Sequence, residues 1–258
     1  MKISTCIDMM FADMAFEDRI GAAHACGMDA VEFWKWTNKD IDRVTTLLNE
    51  NEMKLSVFNI DSRDETLSYD LSRGILNAGR KKDLLTALQE SAPVYHKLGA
   101  AAMIVLIGET LEEPDRERQE ENVRDCLSFV APYAEAEGIT LIVEPLNATD
   151  RKNYFMPEAA RLFRILDDVN SPNVKMLYDI YHQHMTGDFD LALVREKIGR
   201  IGHFHIADCP GRHEPGTGCV NYPSILREIL KTGYDGYFGL EYRATVPDAE
   251  TFGFLGEV

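Results

Sequence analysis

The chain has 258 residues, 45% of them hydrophobic and 27% charged, which excludes global disorder and fibrous classes and leaves enough length for a large buried core. Its 27 Lys+Arg face 43 Asp+Glu, a formal charge of −16. A surface of that sign repels the phosphates that a nucleic-acid binder or an anionic-membrane protein must neutralise.

In chain order, the first ten residues contain Asp8 and neither a signal-peptide core nor a cleavage pattern, which points to a cytoplasmic protein. Residues 3–7 read as a strand, followed by the helical face Phe16, Ile20 and Ala23, which stops at Gly27. Residues 30–34 are a second strand, and Ile41, Val44, Leu47 and Leu48 recur at helical spacing. Residues 53–60 form a third strand. Leu84, Leu85, Leu88 and Tyr95 belong to a long helix that Pro93 should kink or interrupt.

Residues 102–107 are a continuous apolar strand, as in a sheet covered on both faces; the uncharged run around them, 98–108, is too short to span a bilayer. Helix 113–138 and strand 140–144 follow. Pro157 then opens a helix through Val169, and residues 174–178 form the sixth strand. Leu191, Val194 and Ile198 mark a helix, 201–206 a strand, Pro223 opens another helix, and 237–241 is the eighth strand. The remaining tail is too short and too broken for a full helix. The five cysteines are scattered without C-x-x-C spacing and read as free thiols of a reducing compartment.

Strands alternating with helices predict a parallel sheet, and eight repeats in about 250 residues match a (β/α)8 TIM barrel. The first strand is followed by Asp8-Met9-Met10-Phe11, not by a glycine-rich phosphate loop. No linker divides the chain, so residues 1–258 are expected to form a single TIM-barrel domain.

Barrel chemistry gathers where strands end. Here four consecutive strands end in Val143-Glu144-Pro145-Leu146-Asn147, Tyr178-Asp179-Ile180-Tyr181-His182, His203-Phe204-His205 and Leu240-Glu241-Tyr242-Arg243. His203 and His205 share the face opposite Phe204; His205, nearer the strand end, is the ligand candidate and His203 the structural one. Carboxylates this close would repel one another, and a divalent cation removes that penalty. Glu144, Asp179, His205 and Glu241 make a mostly oxygen donor set that suits Mg²⁺ or Mn²⁺, admits Co²⁺ and favours Zn²⁺ less because no thiolate is aligned. Segment 208–221 is a long Gly/Pro loop of functional character. In it Arg212 offers a planar fork for a substrate carboxylate or hydroxyl. Phe11, Trp34, Trp36, Tyr154 and Phe155 follow strand ends and are candidate pocket walls.

These motifs, together with Arg212-His213-Glu214-Pro215-Gly216-Thr217-Gly218, resemble the xylose isomerase-like TIM barrels and, within them, the hydroxypyruvate isomerase family. The resemblance implies one divalent ion on Glu144, Asp179, His205 and Glu241. It also implies Glu144 and Glu241 as the acid/base pair, and His182 and Arg212 as substrate contacts. One departure stands out: the hydroxypyruvate isomerase branch commonly has Gln where this chain has His205, a feature of ketose 3-epimerases. The expected activity is a metal-dependent aldose–ketose isomerisation of hydroxypyruvate to tartronate semialdehyde, or of a similar small hydroxy-keto acid, through a cis-enediolate. A tagatose/psicose-type ketose 3-epimerase is the alternative. An endonuclease-IV-type phosphodiesterase is disfavoured by the charge and by only seven His for a multi-zinc site. A binding barrel without chemistry is disfavoured by the intact Glu144 and Glu241. The expected partner is a small molecule, and homo-oligomerisation is left open.

Overall fold

A computed structural model describes the whole chain, Met1–Val258. The strands are β1 (Lys2–Cys6), β2 (Ala30–Glu32), β3 (Lys54–Leu55), β4 (Val57–Asn59), β5 (Ala102–Leu106), β6 (Leu141–Glu144), β7 (Val174–Asp179), β8 (Ile201–Ile206) and β9 (Tyr237–Leu240). All neighbours pair in parallel, in the order β3-β2-β1-β9-β8-β7-β6-β5-β4. The two ends of that order are consecutive in the chain, separated only by Ser56, so β3 and β4 are one stave and the ring closes through it: a near-closed parallel barrel of the (β/α)8 kind.

The expected continuous third strand is therefore broken at Ser56. Its N–H donates to Val31 O at 2.9 Å, but its carbonyl accepts from both Ala101 and Ala102, at 2.9 and 3.1 Å. Two donors on one acceptor use up an extra residue on one side, the mark of a bulge.

Helices α1 (Phe16–Ala25), α2 (Ile41–Glu50), α3 (Glu65–Ser72), α4 (Arg80–Leu98), α5 (Arg116–Ala136), α6 (Ala159–Val169), α7 (Ile180–Thr186), α8 (Leu191–Glu196) and α9 (Tyr222–Leu230) accompany the staves. Sequence sets their starts. Asp40, Asp64, Asp115, Asp179, Asp190 and Asn221 each accept a first-turn N–H at a helix N-cap. Helix α4 runs through Pro93 without interruption, against expectation. Its buried face, from Leu84 and Leu88 to Tyr95 and Leu98, docks on both sides of the proline and outweighs the roughly 3 kcal/mol that an interior proline costs. The sequence pattern also passed over α3 and α7. The tail makes only two 3-10 turns, Asp248–Glu250 and Gly253–Glu257, the second placing Phe254 against Tyr222. No helix is long and apolar enough to cross a membrane.

The main core, 69 buried residues, lies between the sheet and the helices. Val57, Ala102, Ile104, Ile142 and Leu177 form a separate small cluster within the barrel. Across from these aliphatic side chains the barrel is polar: Ser4, Glu32, Ser56, His203 and His205 are all buried there.

Candidate active site

Glu144 and Asp179 are the last residues of β6 and β7, His205 is next to last in β8, and Glu241 follows β9 directly. Parallel pairing brings these ends together at one mouth. His205 Nδ1 lies 3.4 Å from Glu144 Oε1, 3.3 Å from Glu241 Oε2 and 4.0 Å from Asp179 Oδ2. One donor atom from each of the four residues falls within 4.8 Å of the others, and all four residues are buried.

Neighbouring groups hold these side chains in place. Asp179 Oδ1 accepts the His182 N–H at 3.1 Å, capping α7, while Oδ2 is left facing His205 and lies 3.5 Å from His182 Nε2. Glu241 Oε1 accepts from Trp34 Nε1 at 2.9 Å, and its Oε2 pairs with Arg212 Nη2. Tyr154 donates to the Glu144 carbonyl at 2.9 Å and accepts from Ile107 N–H at 3.0 Å, pinning the end of β6. Asn147 N–H donates to His182 Nδ1 at 3.2 Å, which puts the His182 proton on Nε2.

Charge is balanced by few groups. Burial raises the Glu241 carboxyl, but Arg212 and His205 outweigh it and hold it well below the ordinary carboxylate range. Burial opposes a charged His205, yet Glu241 and Glu32 push its pKa well above the usual imidazole value. The guanidinium of Arg212, despite burial, is held charged by Glu241 and Asp179.

Glu144 Oε1 and His205 Nδ1, which face each other in the cluster, are buried without a hydrogen-bond partner. Oxygen and nitrogen donors that converge without bonding one another fit a divalent cation, since buried polar atoms otherwise find partners. Cys209 Sγ packs 3.3 Å from Met185 Sδ. A second convergence, of Glu32, His203 and His205, lies beside the first.

A cleft of about 500 Å³ opens over the cluster, lined by Glu144, Glu241, His182, Arg212 and Trp34, with Lys35, Asn59 and Arg151 farther out. All six predicted site residues therefore meet at one place. Of the five aromatics considered as walls, only Trp34 lines the cleft. Trp36 is buried and donates to Ser91 Oγ at 3.0 Å, Phe155 is fully buried under Arg116 and Arg161, Tyr154 pins β6, and Phe11 is buried beside Asp248.

Loop 208–221 is organised by Asp208, a buried residue that sequence reasoning passed over. Its carboxylate accepts from the N–H groups of Gly216, Gly218 and Val220 at 2.7, 2.9 and 3.0 Å. The other omission is Glu32. An acidic residue in the middle of the apolar run Ala30-Val31-Glu32-Phe33-Trp34 was its only sequence signal.

Residues 20–253 match the family of xylose isomerase-like TIM barrels. A 2-oxo-tetronate isomerase of Cupriavidus necator is 32% identical over 96% of this chain and 95% of its own length. The hydroxypyruvate isomerase of Escherichia coli is 29% identical over 94% and 93%. Among solved structures, one described as an AP endonuclease, family 2, from Brucella melitensis superposes with a TM-score of 0.89 at 27% identity, over 99% of this chain and 98% of that one.

Proposed function

The chain belongs to the xylose isomerase-like TIM-barrel family, and from that premise we propose that it interconverts a small hydroxy-keto acid, hydroxypyruvate or 2-oxo-tetronate, with its aldehyde or shifted-keto isomer. That it is an isomerase-like enzyme with a divalent-metal cluster follows from its relatives and from the converging donors. The observation that carries the substrate reading is the convergence of Glu144, Asp179, His205 and Glu241 under a cleft also lined by Arg212 and His182. The two isomerases cover 93–95% of their own length in the match.

Glu144, Asp179, His205 and Glu241 would hold the ion, Mg²⁺ or Mn²⁺ by the hardness of the donor set. When bound, it offsets the negative charge that builds on the two substrate oxygens. The protein groups do the rest. One glutamate takes the proton from the hydroxyl-bearing carbon, the carbon next to it is protonated in turn, and the hydroxyl proton passes to the former carbonyl oxygen, so that no net oxidation occurs. Trp34 and Arg212 hold Glu241 by both of its oxygens. Arg212 Nε, buried and without a partner, offers a donor to the substrate carboxylate, and His182 Nε2 a second donor for a substrate oxygen.

His205 favours a second reading, a ketose 3-epimerase, in which the same two carboxylates act on opposite faces of one carbon. An assay of hydroxypyruvate, 2-oxo-tetronate and free ketoses, with and without Mn²⁺, separates the two. Mn²⁺-dependent turnover of a hydroxy-keto acid supports the isomerase. Turnover of ketoses alone assigns the epimerase, and cleavage of abasic DNA alone overturns both.

A further inference from the structure

Below the ligand cluster the barrel interior holds a second polar group that the reaction does not use. Glu32, at the end of β2, is fully enclosed. Its Oε1 lies 3.0 Å from His205 Nε2 and its Oε2 lies 3.1 Å from His203 Nε2. Oε2 also accepts from Ser56 Oγ at 2.9 Å, and Ser56 Oγ is 2.5 Å from Ser4 Oγ. Gly239 makes the space: a Cβ there would stand 2.6 Å from both Glu32 Oε1 and His203 Nε2. The His205 ring is wedged edge-on against His203, with centroids 5.0 Å apart and planes at 88°.

We propose that Glu32 is a positioning residue that decides which nitrogen of His205 faces the metal ligands. Its warrant is chemical. An ion binds only a neutral imidazole, which carries one proton and leaves one bare nitrogen to ligate. His205 Nδ1 faces the oxygens of Glu144, Asp179 and Glu241. Left to those three acceptors alone, the proton would settle on Nδ1 and close the site to an ion. Glu32, an acceptor-only group on the far side of the ring, draws it to Nε2 instead. His203 and Ser56 take up the second Glu32 oxygen, so the carboxylate cannot swing away. An amide in place of Glu32 would turn an N–H toward one of the two histidine nitrogens that now face a carboxylate oxygen at 3.0 and 3.1 Å.

The inference rests on reading Glu144, Asp179, His205 and Glu241 as the ligand set, and the experiment keeps the two apart. Mn²⁺ affinity is measured by titration calorimetry for the wild type, Glu32→Gln, Gly239→Ala and Asp179→Ala. Histidine ¹H–¹⁵N spectra of the wild type loaded with diamagnetic Mg²⁺ report the ring proton. The expected results are a His205 proton on Nε2 and a Glu32→Gln affinity lower by about 10- to 100-fold, in line with losses of groups that orient metal ligands. Gly239→Ala, which displaces Glu32 without changing any charge or ligand, should weaken binding in the same direction and serves if Glu32→Gln does not fold. Folded Glu32→Gln with Mn²⁺ affinity within twofold of wild type overturns the proposal while leaving the ligand set intact, whereas a His205 proton on Nδ1 in the loaded protein removes His205 from the ligand set and the proposal with it. Unchanged affinity in Asp179→Ala removes the ligand set and the proposal with it.

Discussion

At the scale of single residues, Glu144 and Glu241 are asked to serve twice, as ligands and as proton carriers, and amide substitution separates the tasks. Glutamine keeps an oxygen that can coordinate but has no useful basicity near neutral pH. Glu144→Gln and Glu241→Gln should each still bind Mn²⁺, more weakly, and lose at least about 100-fold in kcat. Exchange of solvent deuterium into substrate locates the loss: a variant that exchanges without forming product lacks only the second proton transfer. Near-normal turnover with metal bound in either variant would place the base elsewhere, with His182 next in line. The ligand candidates were legible in the sequence because each closes an apolar strand run, where a charge is conspicuous. Glu32 sits inside such a run, but its meaning depends on β2 and β8 facing each other inside the ring, a relation between residues 32 and 205 that no local pattern carries. The aromatics misled for a related reason. Alternation tells which face a side chain takes, but not whether a helix, as over Trp36 and Phe155, then covers it.

Among the elements, loop 208–221 depends on one carboxylate. Asp208 gathers three backbone N–H groups from the far limb of the loop, which also carries Arg212, at φ +56, to the cleft. Asp208→Ala strands those donors, and hydrogen bonds to a charged group are worth about 1.5–3 kcal/mol each. The expected result is a destabilisation on the order of 3 kcal/mol in denaturant unfolding, smaller than the sum because the loop can rehydrate, together with a raised KM. An unchanged unfolding midpoint would show that the loop is held by other contacts. The elements themselves were largely readable, since each stave is a short apolar run and most helices show a 3.6-residue stripe. Three features were not. The bulge at Ser56 arises from its neighbours' donors, the continuity of α4 through Pro93 from packing, and α7 from the Asp179 cap, at a position already taken for a ligand.

For the molecule as a whole, the eightfold alternation in a chain of this length was enough to anticipate the barrel; the closing of the ring through a broken stave was not. Four carboxylates, those of Glu32, Glu144, Asp179 and Glu241, are buried near one another with Arg212 as their one permanently charged partner. The folded state should therefore gain from a cation that the unfolded chain cannot hold. Stripping with a chelator should lower the melting temperature, and Mn²⁺ or Mg²⁺ should restore it in proportion to the logarithm of its concentration, with about 2.7 kcal/mol gained at a hundred times Kd. Identical melting curves with chelator and with millimolar metal would argue against an ion in the cluster. Asp179, tied by one oxygen to the first turn of α7, and Glu241, held by Trp34 and Arg212, bring a further consequence. Their rotamers are frozen when the barrel folds, so ion capture orders almost no additional side chain, and the entropic cost of about 1–2 kcal/mol per long polar group falls on folding rather than on binding. Ion uptake in such a cavity should then be timed by the ion shedding its own water rather than by the chain rearranging around it.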